Sequence, residues 1–236
     1  MNPALDSSAS VHPALENPGI DAVLLIRHGQ SEWNAARRWQ GMADSPLTEF
    51  GQRQAMAAAG TLAGIVADPK TDLVFAECWS SQLGRAQATA AIIADRLGIE
   101  TGPIEMRLCE IDAGPWEGLT IDEIEASWPG YLDEHRRPDG FETVDSVIAR
   151  ALDALADLAA RAVDLGQPLI VVTHSGVMRA IRAHFGRGSE RVGNLDGCWI
   201  TATPTDQGTG VEIGLGETVV LLDESLMTPG GFEQRR

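Results

Sequence analysis

The sequence predicts an α/β fold: a three-layer α/β/α sandwich whose sheet is mostly parallel with an antiparallel edge strand. Three observations point to it. The runs AVLLI (Ala22 to Ile26) and LIVVT (Leu169 to Thr173) are short and uniformly apolar, as strands buried on both faces must be. Helical Ala/Leu-rich stretches alternate with these runs, the pattern of helices covering both faces of a sheet. After Cys198 the chain changes to alternating segments, CWITATPT, VEIGL and TVVLL, which suit antiparallel or edge strands.

Taken in order, residues 1–20 are rich in Pro, Ser, Asn and Ala without periodicity and read as a disordered or extended tail. Residues 21–236 read as a single domain. Its first strand ends at Arg27-His28-Gly29. A helix follows over 48–66, with Thr48 as its N-cap. Leu73 to Ala76 is a second apolar run, followed by a polar turn and a helix over about 82–97 closed by Gly98. A long helix over 143–165 is closed by Gly166. Pro168 then opens the LIVVT strand, and Val177 to Phe185 reads as helix. Residues 111–142, with their Gly, Trp and Pro, break the alternation and suit a small lid insertion over a site.

Composition narrows the class. Apolar residues make up 44% of the 236, enough for a core, and the net charge of −16 opposes nucleic-acid binding. No apolar run reaches the ~18–20 residues that span a bilayer, and the N-terminus lacks the basic and apolar regions of a secretory signal. Cys78, Cys109 and Cys198 show neither an even count nor metal-type spacing, which fits a reducing compartment. The expectation is a cytoplasmic protein without membrane or nucleic-acid partners.

Ligands of open α/β sheets bind beyond the carboxyl ends of strands. Arg27 and His28 follow the first strand, Arg85 lies in the first turn of the helix after the second, and His174-Ser175 follow LIVVT. A cation at a helix start opposes the macrodipole unless an anion joins it. Two imidazoles and two guanidiniums at strand ends therefore suggest a ligand with several anionic oxygens, phosphate above all. Ser175 lacks the Gly-x-Ser-x-Gly setting of a serine nucleophile. No Asp/Glu/His cluster stands out as a metal site.

These residues fall in blocks that resemble the histidine phosphatase (phosphoglycerate mutase-like) superfamily. The blocks are LIRHGQSEWN (Leu25 to Asn34), Gln40-Gly41, Pro46-Leu47-Thr48, SQLGRA (Ser81 to Ala86), Glu110 with Gly114 and Trp116 to Gly118, and VTHSG (Val172 to Gly176). They occur in family order over about residues 22–202. The resemblance implies a phosphoglycerate mutase-like fold and a nucleophile at His28, whose imidazole would become phosphorylated. It implies that Arg27, Arg85 and His174 hold the phosphoryl oxygens, with Asn34 as a neutral donor. Glu110 would serve as general acid and then base, and so must carry a proton at the first step. Gln40, Gly41 and Ser175 are further implied phosphate- or substrate-binding positions, and Gly41 reads equally as a turn residue. Glu142-Thr143 resemble a Gly-x-Glu-Ser/Thr helix start of phosphatase branches, or an N-cap. Arg136-Arg137 either meet an anionic substrate from the lid or are solvated surface, the reading that charge runs favour.

The resemblance covers phosphatases and mutases. Glycolytic mutases of this type carry Tyr and Lys where this chain has Ala113 and Ile121, and a longer insert where only Pro138 to Glu142 separate Arg137 from Thr143. The expectation is a metal-independent phosphomonoesterase without a cofactor, acting on a small phosphorylated metabolite: sugar phosphates, phosphoglycerate derivatives such as a glucosylated phosphoglycerate, nucleotide-derived monoesters and ribazole phosphate all fit, and the sequence does not choose among them. The alternatives are a mutase, which would use 2,3-bisphosphoglycerate, and a phosphoprotein phosphatase. A homodimer is compatible with the sequence, with the C-terminal strands or the acidic helix as its surface.

Overall fold

The computed structural model describes residues 23–188, 191–205 and 210–228; the expected tail over residues 1–20 and Ala22 lie outside them. Six strands form one sheet: β1 (Val23–Arg27), β2 (Glu77–Ser80), β3 (Glu100–Ile104), β4 (Leu169–Thr173), β5 (Asp196–Pro204) and β6 (Val211–Val220). Six helices accompany it: α1 (Glu32–Ala35), α2 (Glu49–Val66), α3 (Gly84–Leu97), α4 (Ile121–Ser127), α5 (Val144–Leu165) and α6 (Ser175–His184). The strand order is β3-β2-β4-β1-β5-β6. β1, β2, β3 and β4 are mutually parallel, whereas β5 runs antiparallel to β1 and to β6.

The pleat of the central strands divides the core. Leu24 and Ile26 of β1, with Ile170 and Val172 of β4, face Ala58 and Leu62 of α2 and Ile93 of α3. Their neighbours Val23, Leu25, Leu169 and Val171 face Leu155 and Leu158 of α5 and Val177 and Ile181 of α6. Both faces are thus covered, which is why these strands contain only apolar residues until Arg27 and Thr173. At those last residues the strands leave the core and the polar chemistry begins.

The helix ends fall where local signals put them. Thr48 and Thr143 accept from the backbone N–H of Gly51 and Ser146 as N-caps of α2 and α5. Gly98 and Gly166 close α3 and α5 in the left-handed conformation. α6 starts at Ser175, two residues before the expected start.

The second strand differs from expectation. Leu73 and Phe75 are buried, but they lie ahead of the sheet; the ladder with β4 begins only at Cys78 opposite Ile170. Burial was legible in the residues and pairing was not. The polar residue that disguises β2, Glu77, is held by the Arg161 guanidinium and by the Trp79 indole N–H at 2.7 Å. β3 was not expected because its residues, including Pro103, are mostly exposed on an edge where no apolar alternation is needed. VEIGL and the start of TVVLL belong to the single strand β6, which runs through Gly216 opposite an irregularity between Cys198 and Ile200.

Within residues 111–142, Ala113, Trp116, Ile124 and Leu132 form a small apolar cluster of their own, extended by Trp39, Trp128 and Phe141. Trp39 ties this segment to the chain after α1, since its N–H donates to Leu119 and its carbonyl accepts from Gly118. The short helix α4 inside it was not expected. It is built on a capping box between Thr120 and Glu123.

Candidate active site

The site lies at the carboxyl ends of β1, β2 and β4. Backbone bonds hold these ends in step: His28 N–H donates to Thr173 and Ser81 N–H to Val172, each at 3.0 Å. The His28 and His174 rings stand side by side, 5.1 Å between centroids and tilted by 58°. Both are buried.

The nucleophile position is tightly specified. His28 Nδ1 lies 2.6 Å from the Gly29 carbonyl. A carbonyl can only accept, so Nδ1 carries the proton and the ring's lone pair is on Nε2. Burial, then the charges of Arg85 and Arg27, push the His28 pKa well below the ordinary imidazole value, against the smaller opposing effect of the Gly29 bond. The ring is therefore neutral. The Asn194 side-chain amide donates to the His28 carbonyl at 2.9 Å and is itself held by Thr228 at 3.1 Å.

The cations are oriented by backbone. Arg85 is fully buried and donates to Ala43 and Gly41 carbonyls at 2.7 and 2.9 Å. Gly41 owes its identity to this turn: its φ is +57°, and an added Cβ would lie 2.1 Å from Glu117 Oε1. Arg27 donates to the Val192 carbonyl at 2.7 Å, and burial lowers its pKa to about 10. His174 Nε2 lies 2.6 Å from Ser81 Oγ; burial, then Arg85 and His28, push its pKa well below the ordinary value. Of the buried side-chain nitrogens among the described residues that lack a hydrogen-bond partner, three belong to these site residues: Arg27 Nε, Arg85 Nε and His174 Nδ1. Buried donors are nearly always satisfied, so this trio marks a place for acceptor oxygens.

Glu110 faces the same place from the other side. Its Oε1 accepts from Ile111 N–H at 2.9 Å and its Oε2 from Gly176 N–H at 3.1 Å. A Cβ at 176 would lie 2.4 Å from the carboxylate, so any larger residue there must push Glu110 aside. Beside Glu110 opens a cavity of about 450 Å³, lined by Met42, Met106, Cys109, Asp112 and Glu142 among others.

The remaining predicted positions are spread around this centre. Asn34 caps Ser31 through its side-chain oxygen at 3.2 Å, which leaves its NH₂ group as the donor. Gln40 Oε1 accepts from the Ser31 hydroxyl at 2.8 Å. Ser175 is the first residue of α6. Arg136 and Arg137 are exposed as expected, yet the Arg137 guanidinium lies 5.2 Å over the Trp116 ring and 5.4 Å over Phe141. Ser81, Asn194 and Gly176 were given no role from the sequence; Ser81 and Gly176 at least stood inside the recognised blocks.

Residues 23–206 match the model of the histidine phosphatase superfamily, branch 1. The chain belongs to this superfamily. Among its relatives is a glucosyl-3-phosphoglycerate phosphatase of Mycolicibacterium vanbaalenii, 35% identical over 174 residues that cover 70% of this chain and 73% of that one. A 2,3-bisphosphoglycerate-dependent phosphoglycerate mutase of Methylobacterium radiotolerans is 34% identical over 67% of this chain and 76% of its own. Among solved structures, a mycobacterial glucosyl-3-phosphoglycerate phosphatase in complex with VO₃ superposes with a TM-score of 0.67 at 27% identity, covering 82% of this chain and 96% of that one. This histidine phosphatase is an enzyme of the phosphoric monoester hydrolase class. Among the described residues, no helix is long and apolar enough to cross a membrane.

Proposed function

We propose that the chain hydrolyses a small phosphomonoester through a phosphohistidine on His28, without a metal ion. The observation that carries this reading is the pairing of a neutral imidazole, its lone pair on Nε2, with three buried donors that have no protein acceptor. A phosphoryl group supplies three oxygens to such donors and an electrophilic phosphorus to the ring.

In the first step the His28 Nε2 lone pair forms the N–P bond as the ester P–O bond breaks, and Glu110 transfers its proton to the leaving oxygen. In the second, Glu110 takes a proton from water as that water's oxygen attacks phosphorus, the N–P bond breaks, and orthophosphate forms. Arg27, Arg85 and His174 hold the transferring oxygens throughout. Ser81 Oγ lies 2.6 Å from His174 Nε2; with the hydroxyl donating, the ring proton sits on Nδ1, where it would serve the phosphoryl group. The alcohol would occupy the cavity beside Glu110, whose volume suits a sugar-sized group. With 35% identity to a glucosyl-3-phosphoglycerate phosphatase, phosphorylated sugar derivatives head the substrate panel.

The comparable identity to a mutase supports a second reading, transfer of the phosphoryl group back to bound phosphoglycerate with 2,3-bisphosphoglycerate as primer. One assay separates them: phosphate release from small monoesters in excess EDTA, with 3- and 2-phosphoglycerate quantified in parallel. The expected result is free phosphate that drops on the order of 10³-fold or more in His28→Ala. Interconversion of the phosphoglycerates with little free phosphate would establish the mutase, and retained turnover in His28→Ala would overturn both.

A further inference from the structure

Arg150, in the second turn of α5, uses every N–H of its guanidinium. Nε and Nη2 donate to Glu142 Oε1 and Oε2, both at 2.8 Å. Nη1 donates to the carbonyls of Arg107 and Cys109 at 2.6 and 2.7 Å, and Nη2 also to the carbonyl of Glu110 at 3.2 Å. A guanidinium has five such donors, so none is left over for substrate. Glu142 is equally committed. Beyond Arg150 it accepts from Asp112 N–H at 3.2 Å and from the Ser146 hydroxyl at 2.9 Å, while its own N–H donates to the Asp112 carbonyl at 2.8 Å. The pair is largely buried, with side-chain exposures of 21% and 16%.

The consequence is geometric. The backbone from 107 to 110 is wrapped around one planar cation, Asp112 is held by its partner Glu142, and Glu110 stands between the two attachments. On the far side, Thr173 Oγ1 holds the Leu108 carbonyl at 2.9 Å and Gly176 N–H holds the carboxylate itself. We propose that Arg150, fixed by Glu142, is a positioning residue for proton transfer by Glu110. It sets the backbone that aims the carboxylate at the leaving oxygen, and Glu142 pairs with its charge. This rests on the assignment of Glu110 as general acid under the proposed function. It also gives Glu142 a part beyond the helix start: Thr143 is the N-cap, and Glu142 is the counter-charge.

The charged groups facing Glu110 are Arg150 from α5, Arg27 from β1, Arg85 from α3, and the neighbouring Asp112 and Glu142. Unbalancing the clamp from its two ends should act oppositely. In Glu142→Gln an uncompensated Arg150 cation remains, which favours the carboxylate form of its neighbour. In Arg150→Met an uncompensated Glu142 anion remains, which favours the acid form.

The experiment measures kcat and KM across pH for p-nitrophenyl phosphate, whose leaving group needs no proton, and for the fastest alkyl monoester of the phosphate-release panel. Arg150→Lys, Arg150→Met and Glu142→Gln are compared with wild type, each checked for retention of the folded state by circular dichroism. The expected result for Arg150→Lys is an alkyl-ester kcat lower by on the order of 10²-fold, the scale of general acid catalysis, with an aryl-ester loss at least about tenfold smaller. The alkaline limb of the alkyl-ester profile should move to lower pH in Glu142→Gln and to higher pH in Arg150→Met. Equal losses on both esters, or limbs that move together, would overturn the proposal and leave a purely structural ion pair. Should Arg150→Met fail to fold, the ester comparison in Arg150→Lys and the limb shift in Glu142→Gln decide it alone. His28→Ala, run alongside, separates the two levels: turnover surviving there would bring down the phosphohistidine reading itself.

Discussion

His28 and His174 owe their chemistry to burial. Each ring is buried among guanidiniums, so the neutral imidazole is favoured at pH values where a solvated histidine would charge. That neutrality is what the proposed nucleophilic role of His28 requires, and it has a thermodynamic cost in acid. The unfolded chain protonates both imidazoles near pH 6.5, whereas the native rings stay neutral well below it. The stability attached to them is therefore fully present above about pH 6.5 and is lost as pH falls towards the native-state values. The slope approaches about 1.4 kcal/mol per pH unit for each histidine. Urea unfolding at pH 7.5 and 5.5 should show wild type losing up to about 2.7 kcal/mol more than the His28→Ala/His174→Ala variant. An identical pH dependence in the two proteins would mean that the rings titrate normally.

The element that organises the acid side is the start of α6. His174 is its N-cap residue, Ser175 opens it, and Gly176 presents the N–H that holds Glu110. A helix start offers free N–H groups, and here one of them holds the Glu110 carboxylate, the proposed general acid. Gly176→Ala should leave α6 helical while its methyl group displaces the carboxylate, which stands 2.4 Å from the Cβ position. The alkyl-ester kcat should fall by about 10²-fold and the aryl-ester kcat much less. Wild-type rates with the alkyl ester would show that the contact plays no part in turnover. The elements themselves were unevenly legible. Thr48, Thr143, Gly98 and Gly166 mark helix ends through local geometry, so they could be read directly. β3 is mostly exposed and β2 carries Glu77, so hydropathy showed neither, and only pairing with the neighbouring strand defines them.

On the scale of the whole molecule, a chain of net charge −16 concentrates buried positive charge at one point of its sheet. Long-range repulsion of anions is screened beyond ~8–10 Å in physiological salt, so the local cations govern binding. Orthophosphate at 100 times its dissociation constant should stabilise the native state by about 2.7 kcal/mol. For a chain of this size that raises Tm by about 5–10 °C. The shift should vanish in Arg85→Ala. A wild-type protein indifferent to phosphate would remove the reading of the three unpartnered donors as an anion site.

The sequence by itself determined the central strands, the helix ends and the family. β1 and β4 are covered on both faces and so must be apolar throughout, caps act within a turn, and the motif blocks stand at the strand ends where an α/β sheet builds its site. The blocks also named His28, Arg27, Arg85, Glu110 and His174, which the fold brings to one place. Tertiary structure decided how each of them is held. Ser81 on His174, Asn194 behind His28, Gly176 under Glu110 and the Arg150–Glu142 clamp around residues 107–110 join segments far apart in the chain. Such contacts have no local signature, because a hydrogen bond depends on a few ångströms and a direction that only the packed sheet and helices supply.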